Sequence, residues 1–264
     1  MNILNRPSLR TENGLSHFQI PEIAELGWIT HGFLTRKGGV SPFPYDSLNL
    51  GFSNGDLKKH VLQNRSLIAS TFQFQPEKLI LLHQMHQDRI LLLKERSQLL
   101  PAPLEYDAVI TNIPETLLGI RTADCIPIFV VDQKQKVIAA VHAGRQGTAL
   151  RIVTKVLKTM IEQFSCSGAD LLIAMGPSIG PCCYEIDEKV FQTGWEPFAI
   201  PSGEGRWRVD LGRINIAQLK TEGIREEQIF YVDLCTRCHP ELFFSYRRDG
   251  RTGRQLSFIG ITEH

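Results

Sequence analysis

Cys125 and His142 stand near the two ends of ADCIPIFVVDQKQKVIAAVHAG, where two β-rich runs flank the polar segment 132–136. That pattern predicts a hairpin. With the turn centred between Gln133 and Lys134, Val131 pairs with Lys136, Ile128 with Ala139, and Cys125 with His142. Directly opposed residues hold their Cβ atoms about 4.5 to 5.5 Å apart. Zinc sits about 2.3 Å from sulfur and about 2.0 Å from nitrogen, so one ion would bridge the pair. A slip of one residue would send the side chains to opposite faces, and Pro127 inside the first run suggests an edge strand or a bulge. Taken singly, such a cysteine serves as a small buried hydrophobe and such a histidine as a hydrogen-bonded core residue. Their opposition, with Asp124 before the cysteine and a glycine after the histidine, favours chemistry.

A thiolate and one imidazole rarely suffice for zinc, and LLHQMHQDRI offers His83 and His86. Strand parity places these two on opposite faces, and the residues alone do not choose between them. Three protein ligands leave a fourth position open, the arrangement of catalytic rather than structural zinc. Thiolate and imidazole would also accept copper. Without a metal, Cys125 would be a nucleophile and His142 its base. Asp124 is the nearest carboxylate for proton transfer, although strand alternation points it away from the ion.

Other segments suit anions. The run from His142 through Gly144 to Thr148 joins a strand to a helix beginning near Thr148, and amides at a helix start favour phosphate. THGFLTRKGGVS sets Arg36 and Lys37 beside a glycine turn. FFSYRRDGRTGR gathers Arg247, Arg248, Arg251 and Arg254 around Asp249, which points to local ion pairs or a phosphate contact. Cys235-Thr-Arg-Cys238-His239 fits the pattern of covalent haem attachment. Haem attachment ordinarily follows export, and the N-terminal residues lack the apolar middle of a secretory signal. Cys182 and Cys183 are read as structural. The zinc-deaminase signature of nucleic-acid editing enzymes is absent, because Pro181-Cys-Cys-Tyr has the wrong cysteine spacing.

The elements that must position these residues alternate between short strands and amphipathic helices. Helices are expected over 57–72, with Asn54 or Asp56 as cap, over 148–164 on an apolar stripe running from Leu150 to Phe164, and more weakly over 214–220 with Gly223 as the stop. Strands are expected at 78–82, 90–93, 108–111, 126–131, 137–141, 171–174, 229–232 and 256–261. No repeat or polar linker divides the 264 residues, so one α+β domain spanning 1–264 with mixed sheets is the simplest organisation. A net charge of +1 provides no field to draw the chain to nucleic acid or an acidic membrane. No apolar run approaches a membrane span, and six cysteines are too few for a disulfide framework. The expected address is the cytoplasm, with all thiols reduced. Monomer and homodimer both remain open.

Seven ordered segments carry a resemblance across nearly the whole chain: HGFLTRKGGVSPFPYDSLNLG, QMHQ, RTADCIPI, VHAG, GPSIGPCCYEI, DLCT and FFSYRRDGRTGR. The chain resembles the laccase-domain proteins, once regarded as multicopper polyphenol oxidases and now as zinc-dependent purine nucleoside phosphorylases. The resemblance implies a layered α/β/β/α fold and chooses His86 over His83, since the family's Gln-Val-His-Gly motif falls on Gln84 to Gln87. It implies Zn2+ on His86, Cys125 and His142, with Arg36 and Asn49 facing the substrate. It also implies phosphorolysis of adenosine, inosine, guanosine or methylthioadenosine, and deamination of adenosine as a second activity. The older family view, a copper enzyme oxidising phenols, is the alternative it carries. Arg145 and Gln146 depart from the family's Trp-Arg after His-Ala-Gly, which bears on substrate preference.

Overall fold

The computed structural model describes residues 7–99 and 103–262. One six-stranded sheet runs in the order β1 (Ser8–Glu12), β2 (Leu15–Gln19), β3 (Ile29–Leu34), β15 (Gln255–Ile261), β7 (Thr116–Thr122) and β4 (Leu79–Leu81). A second runs β14 (Ile229–Tyr231), β10 (Leu171–Met175), β8 (Ile126–Asp132), β9 (Val137–Ala143), β6 (Ala108–Thr111) and β5 (Ile90–Leu93). A small third sheet joins β11 (Glu185–Asp187), β13 (Arg206–Val209) and β12 (Ala199–Gly203). Both large sheets are mixed: β4 pairs parallel with β7, β5 with β6 and β14 with β10, and their other pairings are antiparallel.

The core follows from strand alternation. In β8, Ile126, Ile128 and Val130 face the helical layer, while Phe129 and Val131 face the first sheet. Both sides are covered, so β8 and β9 are buried throughout and read as unbroken apolar runs. Phe129 stacks on Phe33 of the opposite sheet with ring centroids 4.8 Å apart. Outside the first sheet lies α2 (Lys58–Thr71), which buries Ile68 near Leu117, Leu256 and Phe258. Outside the second lie α4 (Ile152–Phe164) and α5 (Leu211–Thr221). Shorter helices are α1 (Pro21–Ala24), α3 (Arg145–Ala149) and α6 (Tyr246–Asp249). The expected α/β/β/α order in a single α+β domain is therefore present. No described helix is long and apolar enough to cross a membrane.

The helix expected over 148–164 is broken. Residues 145–149 form α3, Arg151 adopts a left-handed conformation (φ 58°), and α4 starts only at Ile152. The break lets α3 pack on α5, where Asn215 Nδ2 donates to Thr148 Oγ1 and Gln218 Nε2 to the Thr148 carbonyl, both at 2.9 Å. Of the expected stripe, Val153, Val156, Leu157 and Met160 are buried, whereas Leu150 and Ile161 are exposed. Burying those four and Ile152 contributes on the order of 10 kcal/mol before chain entropy is subtracted. Asp56 is not the N-cap of α2, because the helix begins beyond Leu57. Asp210 does cap α5, accepting the Arg213 amide at 2.9 Å.

The hairpin register also differs. Asp132 pairs with Val137 and Pro127 with His142, two residues from the expected pairing. The cause is the turn: Asp132 Oδ1 accepts the Lys134 and Gln135 amides at 2.9 and 2.8 Å, enclosing four residues rather than two. A two-residue shift preserves parity. Cys125 and His142 remain on one face as diagonal neighbours, and that face is the one between the sheets. Pro127 lies in a central strand rather than at an edge. Its missing donor falls where β10 ends, with Gly176 N donating to the Pro127 carbonyl at 2.8 Å.

Candidate metal centre and active site

Two segments pass from the first sheet to the second at the same end of the sandwich. One links β4 to β5 and carries His86; the other links β7 to β8 in three residues and carries Cys125. His142 stands near the end of β9 beside them. The ligand atoms of His86, Cys125 and His142 all lie within 4.8 Å of one another. The two imidazole rings meet edge to face, centroids 4.8 Å apart.

The segment after β4 is not a strand, so strand parity does not govern His83 and His86. His86 has φ 59°, a left-handed conformation that few side chains adopt without support. Asp107 supplies the support. Its carboxylate accepts the amides of Met85, His86 and Gln87 at 3.2, 2.9 and 2.8 Å. Asp107 Oδ1 also lies 2.8 Å from His142 Nδ1. One fully buried carboxylate thus places one imidazole through its backbone and orients the other through its ring, leaving His142 Nε2 for an ion. Sequence reasoning missed Asp107; its signal is an acid directly preceding the apolar strand β6.

Burial would push the Cys125 thiol up, but hydrogen bonds and charge from His142 and His86 prevail and bring its pKa down to about 6. Burial likewise opposes protonation of His142, yet Cys125 and Asp107 raise it to about 9. Asp107 is held below the usual carboxylate range: the penalty of burial is outweighed by hydrogen bonds from His142, Gln87 and His86. A ready thiolate with two imidazoles, one fixed by a carboxylate, fits a transition-metal ion such as Zn2+ or Cu2+ by its chemistry and spacing. Gly144 touches the same cluster. A Cβ there would lie 3.0 Å from Cys125 Sγ and 3.5 Å from His86 Cδ2.

A cavity of about 500 Å³ opens over the cluster. Arg121, Arg247 and Arg254 line it together with Tyr184 and Tyr246. Among the described residues none of these arginines forms an ion pair, and burial and mutual repulsion lower the Arg121 pKa. Arg121 donates to the Leu82 carbonyl and Arg254 to the Thr252 and Gly253 carbonyls, so these guanidinium groups are held by neutral acceptors and suit an anion. Asp124 also lines the cavity, but both its oxygens are occupied: Thr236 Oγ1 and the Arg247 amide each donate to it at 2.7 Å. Arg247 stretches over the Tyr184 ring, 5.0 Å to the centroid, and donates to the Glu185 carbonyl.

Arg36 and Asn49 do not reach this cavity. The Arg36 fork is spent on the Asp46 carbonyl at 2.6 Å and the Asp46 carboxylate at 3.2 Å, above the Phe244 ring. Asn49 is fully buried behind the wall, where its Oδ1 accepts the Gly51 and Arg254 amides at 3.0 and 2.9 Å. It builds the loop that presents Arg254. His83 lines the cavity but lies outside the three-ligand cluster. The helix start expected near Thr148 lies instead at Arg145, with Gly144 as the N-cap and Thr148 the fourth of the five residues in α3.

The family model described as multi-copper polyphenol oxidoreductase laccase matches residues 30–262. The purine nucleoside phosphorylase YlmD of Bacillus subtilis is 33% identical over 246 residues, covering 88% of each chain. The purine nucleoside phosphorylase YfiH of Escherichia coli is 35% identical over 232 residues, covering 86% of this chain and 91% of its own. The crystal structure of YlmD from Geobacillus stearothermophilus superposes with a TM-score of 0.89 at 30% identity, covering 98% of this chain and all of the other.

Proposed function

This chain belongs to the multi-copper polyphenol oxidoreductase laccase family, and from that premise we propose that it is a zinc-dependent purine nucleoside phosphorylase. One arrangement supports the reading: a thiolate–imidazole cluster fit for a metal and three guanidinium groups that form no ion pair among the described residues share a single cavity. His86, Cys125 and His142 hold the ion, which when bound would supply a positive charge that polarises the substrate. Arg254, Arg121 and Arg247 bind phosphate and offset its charge as an oxygen bonds to the sugar C1′ and the bond to the purine breaks. Tyr184 and Tyr246 offer rings for the purine. Asp124, with both oxygens already accepting, positions the Arg247 backbone and the Cys125 loop rather than carrying a proton. Arg36, Asn49 and Gly144 shape the site without touching substrate. The substrates in this reading are adenosine, inosine, guanosine and methylthioadenosine, with deamination of adenosine as a second activity of the same cavity. The setting is the cytoplasm, where six thiols stay reduced.

The test is incubation of metal-loaded protein with adenosine or methylthioadenosine, with and without phosphate, beside Cys125→Ala. Phosphate-dependent release of free base, lost in the variant, supports the reading. Equal turnover by Cys125→Ala defeats it. Ammonia release from adenosine tests the deaminase activity separately.

A second reading has one observation behind it. Cys125, His142 and Asp107 form a thiol–imidazole–carboxylate series with a lowered thiol pKa, the constellation of a metal-free cysteine hydrolase. A chelator separates the two: it abolishes the metal enzyme and spares the hydrolase. His86 weighs against the hydrolase, because a third donor at the same sulfur has no use in it. Oxygen uptake with a phenol would instead support a copper oxidase.

A further inference from the structure

Outside the cavity, four cysteines from two separate turns converge. Cys182 and Cys183 follow β10, and Cys235 and Cys238 follow β14. Their sulfur atoms all lie within 4.8 Å of one another, with Cys183 to Cys238 at 3.4 Å and Cys182 to Cys238 at 3.6 Å. All are free thiols. We propose that these four cysteines form a second metal site, which binds a structural Zn2+ through four thiolates and is independent of the nucleoside reading. Four sulfurs about 2.3 Å from a tetrahedral ion stand roughly 3.8 Å apart, close to the spacing found here.

The surroundings are built for such an ion. Each cysteine pair sits on a tight turn: the Cys183 and Tyr184 amides both donate to the Gly180 carbonyl, and the Cys238 and His239 amides to the Cys235 carbonyl. The Gly180 amide donates to Cys235 Sγ at 3.3 Å and Arg237 Nη1 to Cys183 Sγ at 3.4 Å, donors that offset thiolate charge. A Cβ on Gly180 would come within 3.3 Å of Cys235 Cβ and 3.5 Å of Cys182 Sγ, so the backbone approaches the sulfurs as glycine permits.

The ion would reinforce two turns already joined by the bridge between Ser178 and Cys235 and by the bonds from the Gly180 amide and Arg237 to the sulfurs. Both turns lead to the cavity. Tyr184, next to Cys183, lines it, and Thr236, next to Cys235, holds Asp124. The second ion would therefore stiffen the cavity wall without sharing a ligand with the first.

The experiment is metal analysis of the full chain, produced with zinc and purified under reducing conditions. Two zinc equivalents per chain are expected in the native sequence, falling to one in the double variant Cys235→Ser/Cys238→Ser and to one in Cys125→Ala. X-ray absorption at the zinc edge of Cys125→Ala reads the remaining site directly and covers the case in which the double variant fails to fold. Four sulfur neighbours at about 2.3 Å uphold the proposal. One equivalent in the native chain that Cys125→Ala removes, or an absorption spectrum with nitrogen or oxygen neighbours in place of sulfur, overturns it. So does a disulfide among the four cysteines in the zinc-loaded, reduced protein.

Discussion

Asp107 and His142 form a buried carboxylate–imidazole pair, Oδ1 to Nδ1 at 2.8 Å, with side chains 0% and 2% exposed. Because the same carboxylate gathers the amides of residues 85–87, it governs both histidines of the cluster. Asp107→Asn keeps the size but places an N–H where acceptors are needed. Metal affinity, read by competition with a chromogenic chelator, should fall about 10- to 100-fold. An unchanged affinity would remove the positioning role.

Gly144→Ala puts a methyl group 3.0 Å from Cys125 Sγ. The backbone there has φ −79°, so strain is not the issue and crowding at the sulfur is. Metal affinity should drop by about tenfold or more, roughly 1.4 kcal/mol, with the thermal midpoint of the metal-free protein little changed. The chelator titration and a melting curve separate these effects.

Arg254→Lys and Arg121→Lys keep a charge but lose the planar fork. Each should raise KM for phosphate about tenfold while leaving KM for the nucleoside within about twofold, a difference of roughly 1 kcal/mol in selective binding. Steady-state kinetics with each substrate varied in turn reads this, and equal rises in both would remove the phosphate assignment.

His31 is buried, and its Nε2 accepts the Ile20 amide at 3.0 Å. Burial first, then the charges of His17 and Arg10, bring its pKa from 6.5 to about 3. The folded state therefore holds His31 neutral while the unfolded chain takes up a proton below pH 6.5. The associated stability is fully present above pH 6.5 and is lost as pH falls toward 3, about 2 kcal/mol of it by pH 5. Urea unfolding at pH 7.5 and 5 should show this loss in the native sequence and a shallower one in His31→Gln. Parallel pH slopes would contradict it.

Ser165 ends α4 in a left-handed conformation, φ 56°. Glycine adopts that region without the Cβ penalty. Ser165→Gly should stabilise the fold by about 0.5 to 1 kcal/mol, visible as a rise of a few degrees in the melting midpoint. A fall would show that the serine side chain matters at this exposed position.

Much of the fold was legible because periodicity reports burial. Both helical layers and all eight expected strands exist, since runs such as 126–132 and 137–143 have no polar side chain to place until they reach a turn or the site. The strands that went unread have mixed composition. In β1 four of five residues are exposed, and β3 buries His31 and Gly32 among its apolar residues, so neither shows clean alternation. The Asp132 turn was missed because a short polar segment does not disclose its length until its side chain chooses which amides to accept.

Cys125 and His142 on one face follow from sequence alone, because parity survives a register error of two. The residue types also settle that the cluster offers sulfur and nitrogen, and that the chain carries almost no net charge. Local pattern does not bring His86 to the same point: the resemblance implies it, and the tertiary structure supplies the reason, since its segment leaves the sheet and takes its direction from Asp107, 21 residues away. Only the tertiary structure ties Arg36 to Asp46, buries Asn49 behind the wall and sets Arg121 beside Arg254. Local patterns fix which face a side chain takes; which side chains from distant segments share a cavity depends on where two sheets and their crossing loops come to rest.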